Sequence, residues 1–313
     1  MFAGIMAGLT WGIDTVILGI ALSMAPFVSS EQAIFLAPFV STFIHDFFSA
    51  VFATMFNGAK GNLNNVWKTF KTKSGRGVVI GALIGGPVGM AGYVMAISYM
   101  GASIGAIATA IFPAIGTVLA RIFLKEKMRW YQWIFLILTL IGVYGLSYSP
   151  DLEITNFVLG LVGAAMCAFG WGIEAVILAK SLTDPELTDE YALQIRQTTS
   201  ALAFGLVILP LIKGWGFTLS LFKGTGMLIP TIALAGMLAT ISYLFYYKAI
   251  STIGAAKSMV LNITYTAWAM LFTVILLRDT SVLSPLTIGC ALIVIVCGVC
   301  AATDIKALFS KNE

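Results

Sequence analysis

The sequence predicts an all-α membrane protein of ten transmembrane helices, built as two inverted five-helix repeats. Three observations predict it: the composition, the spacing of the apolar runs, and an octapeptide that occurs twice. Of the 313 residues, 59% are hydrophobic and 10% are charged, where a soluble domain carries about 25% charged residues. A soluble core cannot absorb that much apolar surface, so the chain must meet lipid. The mean hydropathy of +0.96 agrees. A spanning helix takes roughly 20 apolar residues, so ten of them use about 200 and leave only short loops.

Apolar runs place the spans near 2–23, 33–56, 77–98, 103–124, 130–148, 156–179, 190–213, 226–249, 253–277 and 284–303. The first run lacks the basic start and the A-x-A site of a signal peptide and carries Asp14, so it reads as a retained span. The longest polar stretch is 57–76. Ser149-Pro150-Asp151 marks the middle, giving a first repeat at 1–150 and a second at 151–313 with a short C-terminal tail.

Basic residues set the orientation. With the N-terminus inside, fourteen Lys and Arg fall on inner segments and only Lys213, Lys223 and Arg278 on outer ones, while Arg196 lies within a span. Both termini are therefore expected on the cytoplasmic side of the cell membrane. The net charge of +4 reads as this topology signal and not as the mark of a nucleic-acid partner.

The repeat is explicit. Trp11-Gly12-Ile13-Asp14-Thr15-Val16-Ile17-Leu18 recurs as Trp171-Gly172-Ile173-Glu174-Ala175-Val176-Ile177-Leu178, with the carboxylate kept. Ile104-Gly105-Ala106 is matched to Ile253-Gly254-Ala255, and Lys125-Glu126 to Arg278-Asp279. Five spans per unit is an odd number, so the second unit enters the membrane upside down relative to the first, the arrangement that lets two halves rock about a central site.

Asp14 and Glu174 fall near the middle of spans one and six, where a bare charge costs at least about 2.5 kcal/mol. A basic partner, a bound cation, a water-filled cavity or a proton must offset that. An ion pair with Arg196 that only fixes helix packing is one reading; cation binding or proton exchange is the other. Trp11 and Trp171 lie three residues before these carboxylates and share their helix faces. Span eight adds Tyr243, Tyr246 and Tyr247, and span nine adds Asn262, Tyr265 and Trp268 on one face. Core packing explains any one of these rings. Together with an anion they make a cage for a quaternary ammonium group, which is attracted to ring faces. Glu174, Asp14, His45, Asp46 and Arg196 are the candidates for proton coupling.

Ile84-Gly85-Gly86-Pro87-Val88-Gly89 reads either as a broken helix lining the path or as close helix packing. Cys167, Cys290, Cys297 and Cys300 all lie in apolar runs with no histidine nearby, so no metal site is expected. With no H-E-x-x-H, G-x-S-x-G or P-loop, and with His45 the single histidine, no enzyme and no cofactor is expected.

Ten spans in two halves, with Phe123-Leu124-Lys125-Glu126-Lys127-Met128 closing span four, resemble the EamA-like branch of the drug/metabolite transporter superfamily. A narrower resemblance lies in five runs: His45 to Ser49, Gly81 to Met90, Ile195 to Ser200, Ile241 to Tyr247, and Ala256 through Asn262 to Trp268. These are similar to the LicB-type choline permeases of bacteria. That resemblance implies proton-linked choline import through an aromatic cage, with Trp11, Trp171, Glu174 and the span-eight tyrosines as cage members. Asp14 departs from the family's pattern and points to a related or more highly charged cation as a further possibility. The expected function is a secondary active transporter importing choline or a related quaternary amine by alternating access, with protons and the lipid bilayer as its other partners. Two rivals stay open: a carrier for another metabolite or drug-like cation, and a membrane receptor or scaffold without transport.

Overall fold

A computed structural model describes residues 1–148, 154–224 and 226–304. The Ser149-Pro150-Asp151 divide lies outside the described residues. In chain order the helices are α1 (Phe2–Leu22), α2 (Ala25–Val28), α3 (Glu31–Ala59), α4 (Leu63–Phe70), α5 (Lys73–Leu83), α6 (Gly89–Thr109), α7 (Phe112–Phe123) and α8 (Trp130–Ser147). They continue with α9 (Phe157–Ser181), α10 (Asp189–Ala203), α11 (Leu209–Leu211), α12 (Trp215–Lys223), α13 (Leu228–Ile253), α14 (Ala255–Asn262), α15 (Tyr265–Leu277) and α16 (Pro285–Ala302). A π turn at Ile84–Val88 joins α5 to α6, and another at Phe204–Ile208 joins α10 to α11.

Among the described residues every regular element is helical, as lipid requires of a chain that is not a closed barrel. Among the described residues nine helices are long and apolar enough to cross a membrane. The expected span at 103–124 falls instead on the shorter Ile107–Phe123. The physical reason is two breaks. Gly101 adopts φ 78, ψ 159, a backbone region open essentially to glycine alone. The helix then lapses at Ala110 and Ile111, just before Pro113 in the first turn of α7. The polar stretch 57–76 contains α4.

Side-chain caps start many of the helices. Ser30, Thr72, Asn156, Thr188 and Ser284 each accept a hydrogen bond from a backbone N–H three residues on. Packing pairs the two halves: α1 lies on α13 and α15, α9 on α6 and α7, α3 on α10, and α8 on α16. Gly92 and Gly163 bring α6 and α9 into backbone contact; an added methyl at either would lie within 2.7 Å of the other helix.

Successive crossings alternate in direction, and ion pairs tie their ends together on the face that holds residues 1 and 304. There Lys60 meets Glu190 at 2.6 Å, Lys248 meets Asp189 at 3.6 Å, and Arg129 meets Asp304 at 2.9 Å. This is the terminal face. A buried apolar cluster including Ala53, Val78, Leu178, Leu187, Tyr247 and Ile250 seals the interior behind it. On the opposite, distal face the backbone N–H of Thr155 donates to the Tyr99 carbonyl at 3.0 Å.

The expected match of Gly105 to Gly254 shifts by four residues. It is Gly101 that shares the backbone shape of Gly254, φ 78, ψ 159 against φ 88, ψ 167. The same spacing aligns the start of α7 at Phe112 with the start of α15 at Tyr265. It also aligns Lys125 (φ 57) with Arg278 (φ 55), each closing its helix.

Candidate functional site

A cavity of about 480 Å³ lies between the two halves, within the usual range for small-molecule sites. Trp11, Asp14, Trp171, Glu174, Tyr243, Tyr246, Tyr247, Asn262 and Tyr265 all line it, as do His45, Asp46 and Arg196. Trp268 does not. Its Cβ and backbone pack against Gly12, so the α15 face counted as one surface divides between cavity and helix contact. The lining runs from Glu174 toward the distal face, reaching Leu18, the exposed Gly19 and Leu22 at the end of α1, and Ile97 on α6.

The charged groups form one connected chain. His45 Nε2 lies 3.3 Å from Asp14 Oδ1, and its Nδ1 lies 3.0 Å from Asp46 Oδ1. Ser200 donates to the other Asp46 oxygen at 2.6 Å. Arg196 Nη1 stands 3.5 Å from that same oxygen, while Arg196 Nε donates to Glu174 Oε1 at 2.9 Å. Gln197 accepts from Arg196 at 2.6 Å and hands the network on to Ser49 at 2.5 Å. The side chains of Asp14, His45, Asp46 and Arg196 are all buried.

This pairing corrects a simple view of the two repeated carboxylates. Glu174 has the permanently charged Arg196 as partner, whereas Asp14 has an imidazole. A buried pair still costs desolvation, and this network offsets it with hydrogen bonds on most of its polar atoms. Three carboxylates face one guanidinium and one imidazole, so the acidic groups outnumber the basic ones by one.

Aromatic rings surround these groups. Trp11 meets Tyr243 edge-on at 4.9 Å between centroids and Tyr265 at 6.5 Å. Trp171 stacks on Tyr93 at 6.1 Å and meets Phe112 edge-on at 5.5 Å. Its indole N–H donates to the Gly85 carbonyl at 3.1 Å, which fixes the ring. The Arg196 guanidinium lies 4.9 Å from the Tyr243 ring centre.

The Gly85-Gly86-Pro87 run serves both roles weighed for it. It makes a π turn inside a continuing helix, with Gly85 and Gly86 on the cavity. Glu174 packs so closely on Gly85 that any side chain there would collide with its carboxylate. Tyr93, Phe112 and Ser200 escaped the sequence reading. A signal for Phe112 existed, since it stands at the repeat position of Tyr265.

The fold and the site together define a multi-pass helical membrane protein with a charged, aromatic-lined cavity between two similarly broken halves. Residues 1–148 match the family model of the EamA-like transporter family. The chain is also 27% identical over 234 residues to Protein LicB of Haemophilus influenzae, covering 75% of each chain. The resemblance to the drug/metabolite transporter superfamily therefore holds. A solved crystal structure superimposes with a TM-score of 0.71 at 16% identity, over 96% of this chain and 95% of its own, and so shares the fold.

Proposed function

We propose that this chain is a secondary active transporter that imports choline or a related quaternary amine, coupled to protons, by alternating access. The observation that carries the reading is the excess of acidic over basic groups among aromatic faces at the centre of the cavity. A quaternary ammonium donates no strong hydrogen bond, so it gains from ring faces and from an unbalanced anion. An excess of one acidic group suits a monovalent cation. The likeness to LicB supports the same substrate class.

In this reading the chain crosses ten times, with Ile107–Phe123 as the short fourth span, and both termini face the cytoplasm. The matched breaks at Gly101 and Gly254 support two inverted repeats. The cavity then reaches the outside, and the cluster behind the terminal face closes the inner path. Arg196 pairs with Glu174, whereas the Asp14–His45–Asp46 group holds the imidazole, the side chain type best suited to taking up and giving up a proton. The coupling proton is therefore assigned to the Asp14–His45–Asp46 group, with Glu174 and Arg196 beside it and Tyr243 and Tyr247 facing it from α13.

The test is choline binding to purified protein, followed by counterflow in proteoliposomes with competing amines. Binding and counterflow of choline are expected. Counterflow of another metabolite that choline does not inhibit would replace the substrate, and the absence of any counterflow would leave a receptor or scaffold.

A further inference from the structure

Glu126, just past the end of α7, closes on the start of another helix. Its carboxylate accepts the backbone N–H of Ala255 at 2.8 Å and of Ala256 at 3.0 Å, capping α14. Charge-assisted bonds to a helix N-terminus are among the stronger hydrogen bonds in proteins. Gly254 makes room for it: at φ +88, an added Cβ would lie 2.8 Å from all three carboxyl atoms. This contact sits on the terminal face, behind which the interior is sealed.

The repeat places a second set of the same parts on the distal face. Asp279 follows Arg278 as Glu126 follows Lys125, and both basic residues have left-handed backbone. Gly101 supplies the same break before Ala102 that Gly254 supplies before Ala255. Asp279, however, accepts from the backbone and hydroxyl of Ser281 at 2.9 and 2.5 Å. Those bonds hold its carboxyl below the usual carboxylate range, so it is ionised at neutral pH. One contact is made where the interior is sealed; its counterpart is not made where the cavity reaches the surface.

We infer that Glu126 and Asp279 are the two halves of a reciprocal latch, each capping the helix after its glycine only when its own face of the transporter is closed. Glu126 holds the terminal face shut in the present state. In the opposite state Asp279 leaves Ser281 and takes the backbone N–H groups that follow Gly101, while Glu126 releases Ala255 and Ala256. The latch rests on the alternating-access reading but not on the identity of the substrate.

The experiment reads maleimide labelling of Leu22→Cys, at the distal mouth of the cavity, with the otherwise unaltered chain as background and no substrate present. Glu126→Ala should slow labelling roughly tenfold, because losing two charge-assisted bonds favours the distally closed state. It should also speed amide exchange at Ala255 and Ala256. Asp279→Ala should leave labelling at the parent rate or faster. The double variant should return toward the parent rate, which a mere packing defect would not do. Where Glu126→Ala is not monodisperse, Glu126→Gln keeps one acceptor and should shift labelling in the same direction by less. Unchanged labelling in monodisperse Glu126 variants, or a double variant as slow as Glu126→Ala, overturns the latch. Failure of choline binding with this labelling pattern intact overturns the substrate instead.

Discussion

Arg196 and Glu174 stand 22 positions apart in the chain and meet at 2.9 Å inside the bundle, where the guanidinium also reaches toward Asp46. One base thus joins the carboxylate of α9 to the acidic group on α3. Removing it would leave the buried Asp46 and the half-buried Glu174 without their shared base. Breaking a buried pair from one side costs about 3–5 kcal/mol, so Arg196→Ala should lower the melting temperature of the purified protein sharply. Arg196→Lys keeps the charge but loses the fork and should fall between. A melting temperature unchanged in both would show that the pair does not hold the bundle.

Asp14→Asn should flatten the pH dependence of choline uptake, because it removes one of the two carboxylates paired with His45. Glu174→Gln should instead weaken binding at every pH while a pH dependence survives. Uptake profiles of both variants in proteoliposomes decide this. A flat profile for Glu174→Gln beside a normal one for Asp14→Asn would move the proton to Glu174.

A cation–π contact freed of water contributes about 2 kcal/mol or more, so Trp171→Ala should weaken choline binding by roughly 30-fold. Trp171→Phe keeps a face and should lose far less, although the Gly85 carbonyl then lacks its indole donor. Choline should bind better than ethanolamine, whose ammonium is strongly hydrated. Calorimetry on monodisperse protein checks all three, and equal affinity for the two amines would defeat the cage.

Gly85→Ala tests the seat of the carboxylate. The new methyl collides with Glu174 and pushes it off Arg196. Choline binding should drop about tenfold or more in protein that still inserts. Unaltered affinity would show that the position of Glu174 is immaterial to the cation.

Much of the fold was legible because lipid simplifies the code. Long apolar runs have few alternatives to helices, and the repeated Trp-Gly-Ile octapeptide pointed to the two carboxylates that line the cavity. Partnership was legible only in part: Arg196 stood out as a partner for the repeated carboxylates, but which of them it meets did not. His45 lies 31 positions from Asp14, and Ser200 lies 154 from Asp46; nothing local chooses which base meets which acid. Gly101 was missed in favour of Gly105 because the two share similar neighbours, and only the backbone angle separates them. Trp268 was counted with Tyr265 because helical spacing gives a shared face but not what that face meets.

Arg196 lies over Tyr243 at 4.9 Å, with Trp11 against the same ring at its edge. Tyr243 is therefore already engaged by a cation that belongs to the protein. Under the proposed function, a cationic substrate drawn to this ring would not simply add an attraction; it would compete with a tethered rival whose place is set by Glu174 and Asp46. Net affinity is then a difference between two cations for the same π surface, and it is tuned by how firmly the two acids hold the guanidinium. Such a pocket can be strongly attractive in parts and still release its cargo.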